Sequence, residues 1–383
     1  MKTHLSAKRG PLSTKDVILS AKHEGSLKIL EKLLRPAGGG VYLVSSGKSE
    51  QLEFQKYFYS APNEKEILSK WRKDLSGIST AKIAFLGVPS DVGAGYMRGA
   101  NLGPQAIRDY LTRKADIYRN PRIVDIGDIF VVPQYLSDEM LSHEQIRRGK
   151  KGIYGTTAVK LPVGPLDMVE KVLLIIKKMN PQIVPIILGG DHSVSWPAVK
   201  ALLSFEKKNA LGILHIDAHT DLLNERLGVR YCFGTWAYHA NDLVGRGGRL
   251  VQVGIRSSAK SKQHWERTLK VKQYWAEEVN CGGDRIVKEI VRHFRKKNIS
   301  RIYISNDIDG TDPAWAAATG TMEQDGLRPE FVEKLISEVG ANFDVIGCDV
   351  VEVAPPLRNN IPGEPEKTLK TAARYIQAYL AGY

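Results

Sequence analysis

The sequence predicts an α/β fold built on a mostly parallel sheet. From about residue 80 onward, apolar runs rich in valine and isoleucine recur, and each leads into a stretch with helical spacing. These runs are near-continuous rather than alternating, which is typical of strands buried on both faces of a parallel sheet. Because strands and helices alternate, we expect helices on both faces of the sheet and therefore three layers.

The individual elements follow in chain order. The strand candidates are 83–88, 122–126, 183–188, 211–216, 250–255, 301–308 and 345–353. The helix candidates are 104–112, 165–179, 196–203, 285–297, 329–339 and 367–380. Pro104, Pro165 and Pro329 each stand at a helix start, where a first-turn proline is tolerated.

The first 78 residues lack this alternation. They contain a helix candidate at 14–34, a glycine-rich break at 37–40 and a stretch at 55–71 that mixes aromatic and charged residues. We interpret 1–78 as an N-terminal extension, an arm that packs on the body or on a neighbouring subunit. The alternative is a partly disordered extension, and the aromatic residues favour packing. Residues 79–383 form the main domain in this interpretation.

Composition narrows the class of protein. The 383 residues carry a net charge of +13, but the positive charges are spread along the chain, which disfavours a nucleic-acid partner. The three cysteines lie far apart, so a reducing compartment is expected. No apolar run approaches the length of a membrane span, and the N-terminus lacks the apolar core of a signal peptide. We therefore expect a cytoplasmic protein without a membrane partner.

Three of the predicted strands end in polar segments that differ from ordinary turns. The segments are GGDH at 189–192, DAHTD at 217–221 and NDIDGTD at 306–312. Ligands of open α/β sheets gather at the carboxyl ends of strands. In an extended segment, residues two apart point to the same side, so the alternate acidic and histidine residues of each segment can reach one pocket.

Imidazole together with several carboxylates indicates a metal site. Mn, Ni, Fe and Zn all accept this ligand set. Two ions roughly 3.5–4 Å apart need bridging carboxylates and can share a hydroxide, and Asp217 and Asp307 are the natural bridges. Each segment alone would be interpreted as a turn, a cap or a loop. All three at strand ends of one α/β chain favour a metal site.

The same segments resemble the signature motifs of the ureohydrolase (arginase/agmatinase) family. GGDHS at 189–193, DAHTD at 217–221 and SNDIDGTDP at 305–313 match them in order. Further similarity is found in GANLGPQAIR at 99–108, ATGT at 318–321 and DVVEV at 349–353. The resemblance covers roughly residues 80–383 and is strongest to the agmatinase-like branch that includes guanidine and biguanide hydrolases.

The resemblance implies an arginase-like three-layer αβα fold and two divalent metal ions per subunit, Ni²⁺ or Mn²⁺. The metal ligands that it implies are His192, Asp217, His219, Asp221, Asp307 and Asp309. It also implies that Glu352 pairs with the guanidinium of the substrate and that Asp309 relays a proton. Hydroxide held by the metal pair would attack the guanidinium carbon, and collapse would release urea and an amine or ammonia.

The chain departs from the family pattern around this site. Phe233 stands where members carry a histidine, and His239 is the nearby residue that we predict to compensate for it; a histidine that supports the metal ligands or packs in the core is the alternative. The loop at 257–260 has no acidic residue, which argues against an arginine substrate, and the segment 322–326 replaces the usual Pro-Gly-Gly run. Three tryptophans lie near the motifs: Trp196, Trp236 and Trp315.

These departures favour guanidine or a small substituted guanidine or biguanide as substrate. An agmatinase or a guanidino-acid hydrolase is the nearest alternative. A non-catalytic partner subunit of a hetero-oligomer is an alternative of another class; Phe233 supports it and the six intact ligands oppose it. Family resemblance implies a trimer or hexamer of identical or different subunits.

Overall fold

The computed structural model describes residues 14–115, 117–207 and 210–382, with side chains from residue 23 onward except that of 119. Within these residues the helices, α1 to α13, are Thr14–Leu33, Lys48–Phe58, Glu64–Gly77, Gly103–Lys114, His143–Tyr154, Pro165–Met179, Ser195–Leu203, Trp236–Leu243, Lys262–Thr268, Ala276–Gly282, Asp284–Lys296, Pro329–Asn342 and Glu366–Leu380. The strands, β1 to β9, are Leu34–Arg35, Ile83–Val88, Ile123–Ile129, Val184–Gly189, Leu211–Ile216, Leu250–Ile255, Lys272–Trp275, Arg301–Asp307 and Asp344–Val351.

All nine strands form one sheet in the order β1-β3-β2-β4-β9-β8-β5-β6-β7. Every neighbouring pair is parallel except β1 with β3, which is antiparallel at the edge. One apolar core on one face of the sheet includes Val172 of α6 and Leu202 of α7, and a second core includes Ile290 of α11 and Leu335 of α12. Helices therefore cover both faces, and the predicted three-layer α/β fold with a mostly parallel sheet is confirmed.

Every strand and helix predicted from the apolar runs is present, with boundaries that shift by a few residues. The apolar runs did not predict the short edge strands β1 and β7, which have too few residues to show a pattern. The helices α2, α3, α5, α8, α9 and α10 were not predicted either, although the start of α5 is marked by Ser142 and Gln145 in a capping box. No helix among the described residues is both long enough and apolar enough to cross a membrane.

The described part of the N-terminal arm packs against the body. The indole Nε1 of Trp71 donates a hydrogen bond to the carbonyl oxygen of Ile126 over 2.9 Å. Asp128 Oδ2 accepts from the backbone N–H groups of Gly38 at 2.8 Å and Gly40 at 3.3 Å. Residues 1–13 of the predicted arm lie outside the described residues, and the division of the chain at residue 78 stays a prediction.

The strand order determines where a site can form. β4, β9, β8 and β5 are neighbours in the middle of the sheet and run parallel, so their carboxyl ends lie side by side. The ends of β4, β5 and β8 lead into the three polar segments singled out in the sequence, and the end of β9 leads into Glu352. The fold thus brings residues from four distant parts of the chain to one edge.

Candidate metal centre

His192 lies at the centre of the site, just after β4. Gly190 allows the chain to turn there, because a Cβ atom at this position would lie 1.7 Å from the carbonyl oxygen of Ser90. Asp191 then caps the short helical turn by accepting from the N–H of Ser193 over 2.9 Å. As a result the His192 ring, which is 1% exposed, is held at the carboxyl ends of the strands.

Three carboxylate oxygens surround Nδ1 of His192. Asp307 Oδ2 lies 3.0 Å away, Asp217 Oδ2 3.2 Å and Asp221 Oδ2 3.3 Å. This nitrogen is buried and makes no hydrogen bond within the described residues. A buried polar atom without a partner is costly, so the arrangement fits a bound cation that accepts the nitrogen lone pair.

The opposite nitrogen of His192 is held by a hydrogen-bond network that the sequence analysis missed. Ser305 Oγ donates to Asp349 Oδ1 over 2.9 Å and lies 2.9 Å from His192 Nε2. Asp349 also accepts from the hydroxyl groups of Tyr303 at 2.6 Å and Ser195 at 2.7 Å. Because the Ser305 proton is directed to a carboxylate, Nε2 of His192 carries the ring proton and Nδ1 is free to bind a metal.

A second group of possible ligands adjoins the first. His219 Nδ1 lies 3.1 Å from Asp309 Oδ2 and 3.5 Å from Asp217 Oδ1. Asp217 therefore faces His192 with one oxygen and His219 with the other, as a bridging ligand would. Asp309 is oriented by Thr321, whose Oγ1 donates to Oδ2 over 2.9 Å, and by the N–H of Ala218 at 3.2 Å.

Burial changes the protonation of these carboxyl groups. It raises the pKa of Asp221 to about 8, and it raises the pKa values of Asp307 and Glu352 well above the usual range. Among the described residues, no lysine or arginine side chain forms an ion pair with any of these three carboxylates. Ionised carboxylates at this density require compensating cations, and the donor set of imidazole and carboxylate oxygen suits divalent transition-metal ions.

Glu352 lies beside the cluster at the end of β9. It is 6% exposed and has a positive φ of 59°, and its Oε1 accepts a hydrogen bond from the N–H of His192 over 2.8 Å. Within the described residues Oε2 makes no hydrogen bond. A carboxylate with one fixed and one available oxygen can pair with a planar cation.

His239 lies within α8 and contacts the loop that follows β5. Its Nε2 is 3.0 Å from the carbonyl oxygens of both Asn224 and Arg230, and its ring packs against those of Trp196 and Tyr231. No contact recorded for the described residues joins His239 to a carboxylate of the cluster. Its predicted catalytic role stays a prediction, and its contacts are those of a residue that positions the loop after β5.

Phe233, Trp236 and Trp196 differ in how close they lie to the candidate metal ligands. Phe233 donates its N–H to Gly93 and lies under the guanidinium of Arg226, 5.0 Å from ring centre to Cζ. Trp236 is fully buried, and its ring lies 4.7 Å from that of His192. Trp196 instead stacks on Tyr231, so only one of these two tryptophans lies against a candidate ligand.

Two further residues of the site were not identified from the sequence. His215, within β5, lies 2.6 Å from Asp217 Oδ2, and the two-residue period of the strand that selected Asp217 and His219 extends back to it. Arg256 donates to the carbonyl oxygens of Asp309 at 2.7 Å and Glu323 at 2.9 Å. Arg256 thereby links the loop that follows β8 to the segment after the ATGT motif at 318–321, and no sequence pattern predicts these contacts.

The fold and the cluster define an α/β enzyme with its polar site at the carboxyl ends of parallel strands. The chain belongs to the arginase family, whose sequence model matches residues 81–382. Members of this family are hydrolases that act on C–N bonds of amidines, and this chain falls in the agmatinase-like branch.

Individual relatives are similar over most of their length. The chain is 32% identical over 285 residues to mitochondrial agmatinase of Gallus gallus, covering 71% of this chain and 74% of the relative. It is 29% identical over 285 residues to guanidinobutyrase of Pseudomonas aeruginosa, covering 71% and 79%. The solved structure of proclavaminate amidino hydrolase from Streptomyces clavuligerus matches with a TM-score of 0.61 and 27% identity, over 79% of this chain and 93% of that one.

Proposed function

We propose that this chain hydrolyses a C–N bond of guanidine or of a small substituted guanidine or biguanide. The observation that carries the proposal is His192 Nδ1, which faces three carboxylate oxygens at 3.0–3.3 Å and lies next to Glu352. This geometry provides a cation site directly beside a carboxylate that can pair with a guanidinium. Urea and an amine or ammonia would be the products from a guanidine, and a guanylurea and an amine those from a biguanide that loses its amine.

Two divalent ions, Ni²⁺ or Mn²⁺, would be held by six side chains. The ligands of the first ion would be His192, Asp217, Asp221 and Asp307, and those of the second Asp217, His219, Asp307 and Asp309. When bound, such a pair supplies Lewis-acid activation of water near neutral pH. Both metals accept imidazole and carboxylate ligands, so the choice between them depends on measurement rather than on residue type.

The chain's own side chains would bind the substrate and move a proton. Glu352 orients the planar cation by accepting a charge-assisted hydrogen bond at Oε2, while its Oε1 accepts from the N–H of His192. Asp309 accepts a proton from the attacking water and passes it to the leaving nitrogen. Thr321 and Ala218 hold the two Asp309 oxygens in place for this transfer.

The surroundings of the cluster support a small substrate. The fully buried Trp236 ring fills the space over His192, and Phe233 brings an apolar ring where family members carry a histidine. Ser257 follows β6 with no acidic residue in the loop 257–260, so an α-amino group would lack a partner there. Agmatine or a guanidino acid is the second candidate, favoured by the named relatives agmatinase and guanidinobutyrase.

Urea release separates these candidates. Protein loaded with Ni²⁺ or with Mn²⁺ is assayed with guanidine, a dimethylbiguanide, agmatine, guanidinobutyrate and arginine. We expect the highest kcat/KM for guanidine, followed by urea, or for the biguanide, followed by dimethylamine, because a biguanide that loses this amine leaves guanylurea and not urea. Preference for agmatine or guanidinobutyrate would select the second candidate, and no product from any compound under either metal would refute the enzyme proposal.

A non-catalytic partner subunit is the proposal's alternative of another class. The six candidate ligands are all present, which opposes it, because a binding-only subunit has no need to retain them. Asp307→Ala is the corresponding test: it should abolish both metal binding and turnover. Asp344→Ala, on the exposed first residue of β9 at the other end of the strands, is the matched control and should leave both unchanged.

The assembly that we propose is a trimer or hexamer. Sedimentation of the full chain measures the number of subunits. Co-purification with a different chain would instead indicate a hetero-oligomer.

A further inference from the structure

A chain of hydrogen-bonded side chains leads from the edge of the sheet to the carboxylate of Asp217. It crosses the neighbouring strands β7, β6 and β5. Its members are Trp275, Gln273, Gln252, His215 and Asp217, joined Nε1 to Oε1 at 3.0 Å, Nε2 to Oε1 at 2.8 Å, Nε2 to Nδ1 at 2.9 Å and Nε2 to Oδ2 at 2.6 Å. Gln273, Gln252 and His215 are fully buried, so no water competes for these bonds.

The direction of donation along the chain is fixed at its outer end by Trp275. An indole N–H can only donate, so the atom of Gln273 that faces it must be the amide oxygen. The amide nitrogen of Gln273 then faces Gln252, whose own oxygen must accept. Each amide therefore has one orientation that satisfies its neighbours.

A second group that can take only one role in a hydrogen bond determines the direction of donation at the inner end of the chain, next to Asp217. Gln252 Nε2 also donates to the carbonyl oxygen of Thr220 over 2.7 Å, and a carbonyl can only accept. Both protons of this amide are thus used, one toward Thr220 and the other toward His215 Nδ1. Nδ1 of His215 must accept, so the ring proton lies on Nε2 and is directed to Asp217.

We infer that His215 is a positioning residue that acts through Asp217 and is not itself a metal ligand. His215 lies close enough to His192, Asp217 and Asp221 to be grouped with them as a fourth ligand. To bind a metal through Nε2, however, it would have to move its proton to Nδ1, where the N–H of Gln252 already points. Two donors would then face each other with no water to separate them.

The consequence concerns Asp217, which this inference takes as a ligand on the basis of the proposed function. The hydrogen bond from His215 occupies one lone pair of Asp217 Oδ2 and fixes the plane of the carboxylate. Oδ1 of Asp217 accepts from the backbone N–H of His219 over 2.6 Å, and the carboxylate lies 3.2 Å from His192 Nδ1 and 3.5 Å from His219 Nδ1. Outer partners of this kind typically change metal affinity by about 10–100-fold when they are removed.

The proton position can be measured without any metal or substrate. In metal-free protein labelled with ¹⁵N-histidine, long-range ¹H–¹⁵N spectra distinguish a protonated from an unprotonated ring nitrogen, and the spectrum of His215→Gln assigns the signal. We expect the proton on Nε2 and an unprotonated Nδ1. A ring whose proton is on Nδ1 would overturn the inference whether or not the protein hydrolyses guanidines.

Metal affinity distinguishes a donor from a ligand. Glutamine can place an N–H near the position of imidazole Nε2, whereas leucine cannot donate. If His215 is a donor, His215→Leu should raise the Kd for Mn²⁺ or Ni²⁺ by about 10–100-fold and His215→Gln by less than about 3-fold. If it is a ligand, both variants should lose affinity alike, which would contradict the inference.

A variant at the outer end tests the chain as a whole and avoids the core of the site. Trp275→Phe removes the fixed donor from a half-buried ring, and we expect a weakening of metal affinity by about 2–5-fold, smaller than at His215 because the effect passes through two amides. Trp265→Phe is the matched control, since its half-buried indole donates to Ser258 outside the chain. Equal Kd values for Trp275→Phe and wild type would refute transmission along the chain. If the variants change metal affinity as expected but the protein hydrolyses no guanidine, only the proposed function is refuted.

Discussion

The indole Nε1 of Trp236 donates a hydrogen bond to Asp221 Oδ2 over 3.0 Å, and the same oxygen lies 3.3 Å from His192 Nδ1. Asp221 has a positive φ of 49°, so its backbone adopts an uncommon conformation to bring the carboxylate to this place. The bond from Trp236 holds the carboxylate once it is there. Trp236 therefore has two roles in the site, as the wall over His192 and as the partner that orients Asp221.

Trp236→Phe retains an aromatic wall but removes the N–H donor. We expect the Kd for Mn²⁺ or Ni²⁺ to rise by about 10-fold or more, because Asp221 loses the bond that orients it. Metal titration followed by calorimetry measures this change. Trp196→Phe serves as the control, since Trp196 contacts Tyr231 rather than a candidate ligand. Unchanged affinity in Trp236→Phe would mean that the backbone alone positions Asp221.

Glu352→Gln tests the proposed contact with the substrate. Glutamine can still accept from the N–H of His192, but it no longer presents a charged oxygen to a guanidinium. Loss of a charge-assisted hydrogen bond of about 1.5–3 kcal/mol predicts a fall in kcat/KM of about 10- to 150-fold. Steady-state kinetics with the best substrate of the panel and parallel metal titration separate the two effects. A fall in metal affinity of the same size would instead place Glu352 among the ligands.

Metal removal should destabilise the fold as well as stop the reaction. Without a cation, ionised Asp221 and Asp307 are destabilised by burial and by repulsion from neighbouring carboxylates, and both effects raise their pKa values. When the free metal concentration is about 100 times the Kd, binding of one ion should add about 2.7 kcal/mol to the free energy of unfolding. Thermal unfolding with a chelator and with added Mn²⁺ or Ni²⁺ measures the difference. Asp307→Ala should show little response to the added metal.

The sequence predicted the parts of this molecule that repeat or cluster along the chain. Buried parallel strands leave long apolar runs, so β5 and β6 were placed to the residue. The carboxylates after β5 and β8 follow a two-residue period, which is a local signal. Trp236, Arg256 and Asp349 reach the site from other elements through hydrogen bonds between residues far apart in the chain, and no local period encodes such contacts. The same limit applies to the arm, because its partners Ile126 and Asp128 lie far from it in the chain.

Asp128 connects the arm to the body through a buried ion pair. Arg108 of α4 is fully buried, donates to Asp125 over 2.7 Å and also contacts Asp128, whose other oxygen accepts from Gly38 and Gly40. Asp128→Ala should destabilise the protein by about 3–5 kcal/mol, because it leaves the Arg108 charge partly uncompensated and two N–H groups without an acceptor. Urea unfolding measures the loss.

The matched control for this ion pair lies on the surface of α4. Asp109 pairs with the exposed Arg113, and solvent screens such a pair. Asp109→Ala should therefore leave the urea midpoint close to that of wild type. Limited proteolysis adds a second readout: cleavage within 36–47 should be faster in Asp128→Ala and unchanged in Asp109→Ala. Equal stability of the two variants would show that the arm is held by its apolar contacts alone.

Asp74, on α3 of the arm, should make stability depend on pH. Burial raises the pKa of its carboxyl to about 7, and the nearby charge of Asp125 adds to the shift. The unfolded chain releases this proton near the ordinary pKa of about 3.9, whereas the folded protein retains it until about pH 7. The folded state therefore binds more protons, and stability falls as pH rises through this window.

Asp74→Asn removes the titration, so its gain in Tm over wild type should be small at pH 4, grow up to about pH 7 and stay constant above it. Thermal unfolding at pH 4.5, 6 and 8 with chelator present measures the gain apart from metal binding. A gain that is the same at all three pH values would assign the effect to packing and not to ionisation.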